Sequence, residues 1–278
     1  MANKAYLEIT NICNLSCPFC HGTKRPPWFM TEEEFTLAAQ KLRPFADYLY
    51  YHLMGEPLLH PQLSDFLKIS KELGYKSIIT TNGTLLKEKG DSILKTQALH
   101  KVSISLHSFE VNTLNISLQE YLEDCFDFCK KAAEYGVYAV MRLWNQGGED
   151  SMNYQILESM HRAFPDEWEQ RYSGFRLADR VFLEWGEKFL WPDMEQEDFG
   201  SDHSCYGLRD QVGVLCDGTV VPCCLDCEGV INLGNIFAQS IEEIVNSPRA
   251  QALRKSFETR NVTEPLCRRC GYAAVKRR

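Results

Sequence analysis

Up to Trp185 the chain switches regularly between two hydrophobic periods, one of two residues and one of three to four. Residues 5–10 (AYLEIT) alternate and predict a strand. Thr31 and Glu34 form a capping box, with Phe35, Leu37, Ala38 and Leu42 following at helical spacing. A strand is predicted at 48–53 (YLYYHL), a helix at 63–73 closed by Gly74, and a strand at 76–81 ending in Asn82-Gly83. Residues 101–106 (KVSISL) read as a further strand. Ser117 and Glu120 then box a helix running to about residue 135, stopped by Gly136. A strand at 137–144, a helix at 154–163 before Pro165, and a strand at 181–185 complete the series.

Strands alternating with helices call for parallel, right-handed βαβ units. About six such repeats fit before residue 186, too few for a closed eight-fold barrel. In sheets of this kind ligands gather beyond the carboxyl ends of the strands, where the polar motifs fall. After Trp191-Pro-Asp193 the pattern changes. A hairpin turning at Cys216-Asp217-Gly218 leads to Cys223-Cys224, then helical text at 241–246 and 249–257, then Cys267-Arg-Arg-Cys270. The expected division is residues 1–200 and 201–278.

Twelve cysteines without a leader or an 18-residue apolar run suggest metal or cluster ligation in a reducing cytoplasm rather than disulfides. A formal charge of −8, with basic residues clustered only at Lys24-Arg25, Arg268-Arg269 and Lys276-Arg277-Arg278, disfavours intact nucleic acid as a partner; no membrane partner is expected. The densest chemistry is Cys13-Asn-Leu-Ser-Cys17-Pro-Phe-Cys20. Three thiols on a short loop can converge on one centre, whereas a closed zinc site or an ordinary cubane takes four protein ligands.

This loop resembles that of the radical S-adenosylmethionine (radical SAM) superfamily, in which three cysteines hold a [4Fe-4S] cluster and the open iron takes S-adenosyl-L-methionine. The resemblance implies an α/β fold, a partial (β/α)6 TIM-like barrel with a small C-terminal cysteine-rich α+β domain. It places Phe19 near the adenine. Met54-Gly55-Glu56-Pro57 resembles the family's G-G-E-P motif, departing from it at Met54; Gly55 and Glu56 would hold the cofactor's ammonium. Asn82, Ser105 and Arg142 resemble positions that bind its ribose and carboxylate. Arg142 in an apolar strand needs an anion if it points inward. Cys205-x12-Gly218-x4-Cys223, with Cys267 and Cys270 and with Leu233-Gly-Asn-Ile236 before a helix, resembles the one-cluster "twitch" form of the SPASM extension. These four cysteines would hold an auxiliary [4Fe-4S] cluster; tetrahedral zinc is the competing metal. Cys216, Cys224 and Cys227 are surplus to both sets, and Cys125 and Cys129, one helical turn apart, read as core.

Candidate catalytic groups at the strand ends are His52, His107 and Glu184. Candidate substrate contacts are His21, Trp144 and Asn145, with residues 21–28 extending over the barrel mouth. Tyr48, Tyr50, Trp144 and Trp185 could stack a flat heterocycle. The resemblance implies hydrogen abstraction from a small molecule by a 5′-deoxyadenosyl radical, with an external one-electron reductant such as flavodoxin or ferredoxin. Length, the Ser-Leu-His-Ser run and Arg142-Leu-Trp-Asn145 are similar to small radical SAM proteins of anaerobic Firmicutes, queuine lyases of queuosine salvage among them. That likeness implies C–N cleavage of queuine to 7-aminomethyl-7-deazaguanine. The alternatives are a peptide-maturing or dehydrogenating radical SAM enzyme, or a non-catalytic Fe–S redox or interaction protein. A strand beginning within five residues of the start leaves no room for a peptide-docking module.

Overall fold

The computed structural model describes residues 4–275; the Lys276-Arg277-Arg278 cluster lies outside the described residues. The expected alternation appears as β1 (Lys4–Leu7), α1 (Glu32–Leu42), β2 (Tyr48–Tyr50), α2 (Leu63–Glu72), β3 (Lys76–Thr81), α3 (Leu86–Lys95), β4 (Leu99–Ser105), α4 (Leu118–Glu134) and β5 (Tyr138–Gln146). It continues with α5 (Asn153–Ala163), a hairpin of β6 (Glu169–Arg171) and β7 (Gly174–Ala178), and β8 (Val181–Glu187). Strands β1, β2, β3, β4, β5 and β8 are parallel neighbours in that order, so the six expected repeats form an α/β partial barrel. Both predicted capping boxes are present, at Thr31 with Glu34 and at Ser117 with Glu120.

The C-terminal segment adds β9 (Gln211–Val214), β10 (Thr219–Val221), β11 (Gly234–Asn235) and the helices α6 (Ile241–Val245), α7 (Pro248–Glu258), α8 (Pro265–Arg268) and α9 (Gly271–Val275). Strand β9 pairs parallel with β1, and the β9–β10 hairpin turns at residues 215–218. One sheet of eleven strands therefore runs from β11 to β6.

Parallel register gives the sheet two chemically different faces. Ala5, Leu7, Leu49, Tyr51, Val102, Ile104, Ala139, Met141, Leu143, Val181 and Leu183 pack beneath the helices in one core, and Cys125 and Cys129 of α4 are buried there. The alternate positions, Tyr6, Tyr50, Ser103, Ser105, Arg142 and Glu184, line the concave face.

Two elements stand outside the expected series. Helix α3 buries Leu86, Ile93 and Leu94 on one face but contains Gly90, a poor helix former, because Phe128 of α4 packs there; a Cβ at Gly90 would meet the Phe128 ring at 2.7 Å. The β6 strand is exposed at all three positions, so no burial pattern marks it. The expected strands at 5–10 and 48–53 are shorter, ending at Leu7 and Tyr50. Beyond Leu7 the chain bends so that Thr10 bridges Phe29, and beyond Tyr50 it turns through Gly55. Among the described residues no helix is long and apolar enough to cross a membrane.

Candidate active site

The cysteine loop leaves the end of β1 and is held from three sides. Glu56 N–H donates to the Ile12 carbonyl at 2.9 Å, which seats the Met54–Pro57 turn against the chain entering the loop. Gly55 is required there. Its φ is +79°, and a Cβ would lie 2.3 Å from the Thr10 carbonyl oxygen. Asn82, at the end of β3, donates to Asn14 Oδ1 at 2.9 Å and reaches Cys13 Sγ at 3.9 Å. Asn112 donates to Cys17 Sγ at 3.1 Å and accepts the Ser16 N–H at 3.1 Å. Cys20 Sγ stands 3.9 Å from Met54 Sδ. Burial pushes the Cys13 and Cys17 thiols up; the Asn112 amide pulls Cys17 back, and the other loop cysteines add a further upward push to both. Three thiols so placed favour thiolate only beside a cation.

Glu56 is buried, and its carboxylate accepts the N–H groups of Leu58 at 3.0 Å and Asn82 at 2.8 Å. It thus ties the ends of β2 and β3 together, and burial still pushes its pKa up to about 7. Phe19 lies 5.0 Å from the His107 ring, and its carbonyl accepts Trp191 Nε1–H at 3.0 Å.

On the concave face Ser105, Arg142 and Glu184 are register partners across β4, β5 and β8 and form one row. The anion that an inward Arg142 requires is thereby partly supplied from within the chain, since its Nε lies 3.8 Å from Glu184 Oε2. The guanidinium also sits 3.5 Å over the Trp144 ring. Beside this row Tyr6 and Tyr50 stack at 4.6 Å, and His52 packs edge-on to both. Burial, then the Arg142 charge, lowers His52 to about 3; burial lowers His107 to about 4. Both imidazoles are neutral at pH 7. His107 Nδ1 lies 3.1 Å from the Arg142 carbonyl and 3.4 Å from the Trp144 N–H.

Three buried polar atoms of this lumen have no hydrogen-bond partner among the described residues: His52 Nδ1, Arg142 Nε and Trp144 Nε1. Orphaned groups of this kind are costly, about 1–3 kcal/mol each, unless a ligand satisfies them.

Four expected contacts fall elsewhere. Asn145 is buried and bonded to the Glu149 carbonyl and to Asn153, so it anchors α5 rather than facing the lumen. Trp185, one residue out of phase with Glu184, packs toward the helix-side core. Tyr48, the first residue of β2, lies edge-on to His100. His21 turns to Asp193, 3.8 Å from its Oδ2. Residues 21–28 fold back onto the C-terminal segment, where Arg25 Nε donates to the Cys227 carbonyl at 2.8 Å.

Sequence reading passed over Glu8. It is fully buried, paired with Arg25 at 2.7 Å, and accepts the N–H groups of Met54 at 3.1 Å and Cys216 at 3.2 Å. Its only signal was an acidic residue at a concave-face position of an otherwise apolar strand.

In the C-terminal segment Cys205, Cys267 and Cys270 all lie near enough to Cys223 for their charges to act on it. Burial first, then the charges of Cys224, Cys205, Cys267 and Cys270, pushes the Cys223 thiol up. Among the described residues, the group of three metal-ligating side chains whose donor atoms fall within 4.8 Å of one another is His21, Cys227 and Glu228.

Comparison with known proteins agrees with this geometry. Residues 7–158, over half of the chain, match the family model described as the radical SAM superfamily. Residues 205–271 match the SPASM iron-sulfur cluster-binding domain. A protein named probable GTP 3′,8-cyclase from Saccharolobus solfataricus is 30% identical over 138 residues, covering 48% of this chain and 44% of the relative. The chain thus spans less than half the length of that curated relative. Crystal structures of BtrN in complex with AdoMet and 2-DOIA (18% identity, TM-score 0.61, 97% and 93% of the two chains) and of Streptococcus suis SuiB bound to S-adenosylmethionine (14%, 0.64, 91% and 68%) share the fold. With the family come a [4Fe-4S] cluster and S-adenosylmethionine, and with the SPASM match further iron–sulfur. A loop of three cysteines at the end of the first of six parallel strands, in a segment of more than half the chain that matches that family's model, makes this chain a member of the radical SAM superfamily.

Proposed function

We propose that this enzyme abstracts hydrogen from a small, flat heterocycle held in the barrel lumen. Within that class the reaction is C–N cleavage of queuine to 7-aminomethyl-7-deazaguanine. The observation that carries the reading is the lumen itself: the Tyr6–Tyr50 stack beside three unsatisfied polar atoms and the Arg142–Glu184 pair. Aromatic faces suit a planar ring, and the orphaned polar atoms suit its heteroatoms. Glu184 offers an anion to a substrate amine. The purine nucleotide in the name of the archaeal relatives points to the same ligand class.

Cys13, Cys17 and Cys20 fit one cluster, and Cys205, Cys223, Cys267 and Cys270 fit the auxiliary one. Gly55, Glu56, Asn82, Ser105 and Arg142 would hold S-adenosylmethionine with Phe19 beside it. Bound there, cluster and cofactor would supply a carbon-centred radical at the carboxyl ends of the strands, given an electron from a flavodoxin- or ferredoxin-like donor in a reducing cytoplasm. The chain's own residues position and exclude water. Neutral His52 and His107 accept or donate hydrogen bonds without adding charge, and Arg142 is fixed by Trp144 and Glu184.

The test is anaerobic incubation of reconstituted, dithionite-reduced protein with S-adenosylmethionine and, separately, queuine, GTP and a peptide library. Queuine-dependent 5′-deoxyadenosine with a 7-aminomethyl-7-deazaguanine product is expected, and none from Cys17→Ala. Turnover of peptide or GTP with queuine inert would sink the assignment.

A further inference from the structure

Nine of the twelve cysteines are accounted for by the two cluster sets and the α4 core. Of the other three, Cys216 bonds Glu8 and Cys224 bonds the Tyr6 hydroxyl. Cys227 has different company. Its sulfur, a His21 ring nitrogen and a Glu228 carboxylate oxygen all lie within 4.8 Å of one another. His21 follows Cys20 directly, whereas Cys227 and Glu228 come from the C-terminal segment, so only the fold assembles the group.

The surroundings are already fixed. Lys24 N–H donates to Glu228 Oε1 at 3.1 Å, and a carboxylate bonded through one oxygen keeps the other for a cation. Arg25 Nε holds the Cys227 carbonyl at 2.8 Å, and Cys227 Sγ lies 3.8 Å from the Gly22 carbonyl. Asp193 Oδ2 places a second carboxylate 3.8 Å from His21 Nε2, the kind of outer partner that orients a ligating imidazole. Cys227 is buried while His21 and Glu228 are half-buried, which gives an ion one dry side and an entry path.

One thiolate, one imidazole and one carboxylate form a borderline donor set that suits Zn2+ better than the hard cations, which prefer all-oxygen sites. We propose that His21, Cys227 and Glu228 bind a zinc ion that clamps the cysteine loop to the C-terminal segment. Binding exchanges the Cys227 S–H bond for a Zn–S bond and releases one proton to solvent.

The test uses cluster-loaded protein, in which the cluster cysteines are occupied, titrated with zinc against a chromophoric chelator and then examined by zinc K-edge absorption. Wild type should bind about one zinc with one sulfur at ~2.3 Å and the remaining ligands nitrogen or oxygen at ~2.0–2.1 Å. Cys227→Ser and His21→Asn should weaken binding by more than about 100-fold, the upper end for outer-shell changes, with iron content unchanged. If Cys227→Ser fails to load its clusters, the half-buried His21→Asn and Glu228→Gln decide. No zinc in the wild type, a four-sulfur zinc spectrum, or undiminished affinity in the variants overturns the proposal.

Discussion

Glu56 carries the plainest residue-level consequence. Burial raises its pKa from the ordinary 4.5 to about 7, so between those values the folded protein binds a proton the unfolded chain has released. Its contribution is fully present below pH 4.5 and is lost as pH rises through about 7, on the order of 3 kcal/mol over the interval at ~1.4 kcal/mol per unit. His52 works in the other direction. With its pKa lowered to about 3, its contribution is present above 6.5 and is lost as pH falls toward 3. Urea unfolding of cofactor-free protein from pH 5 to 8 should therefore show an alkaline decline that flattens in Glu56→Gln. At Asn112 the expectation concerns the metal centre. Removing the amide that bonds Cys17 Sγ at 3.1 Å should make the reduced cluster harder to form. A midpoint potential for Asn112→Ala at or above that of wild type would refute this.

At the scale of elements, the cysteine loop, the Met54 turn and the β9–β10 turn all meet at Glu8. Removing one partner of a buried pair leaves the other charge uncompensated, so Arg25→Met or Glu8→Leu alone should cost about 3–5 kcal/mol. The double variant should cost less than the sum, and a double-mutant cycle in urea measures the difference. Among the elements, those with strong periodicity or a capping box were legible from residues alone, as α1 and α4 are. Helix α3 was not, because Gly90 answers to Phe128 rather than to local propensity. The β6–β7 hairpin was not, because an exposed edge ribbon buries too little to leave a pattern.

For the whole molecule, the continuous sheet makes the C-terminal segment depend on both β1 and its own metal. Small cysteine-rich segments draw much of their folding free energy from ligation. Cys223→Ala should cut iron from about eight to about four per chain and expose residues near 205–271 to limited proteolysis, with the 5–186 region resistant. Retention of all the iron would show that Cys223 is no ligand.

By itself the sequence determined the alternation of the parallel strands with most of their helices, the spacing of the cysteines and the turn at Gly55, because spacing, capping and left-handed backbone are local properties read within a few residues. It flagged Arg142 and Glu184 separately as strand-end groups. Only parallel register across β4, β5 and β8 sets Ser105, Arg142 and Glu184 in one row, turns Trp185 away from the lumen, and leaves three polar atoms there without hydrogen-bond partners among the described residues. Only closure of the chain on itself brings His21 to Cys227 and Arg25 to Glu8. Such pairings depend on loop closure and on the burial it allows, and no window of sequence contains them.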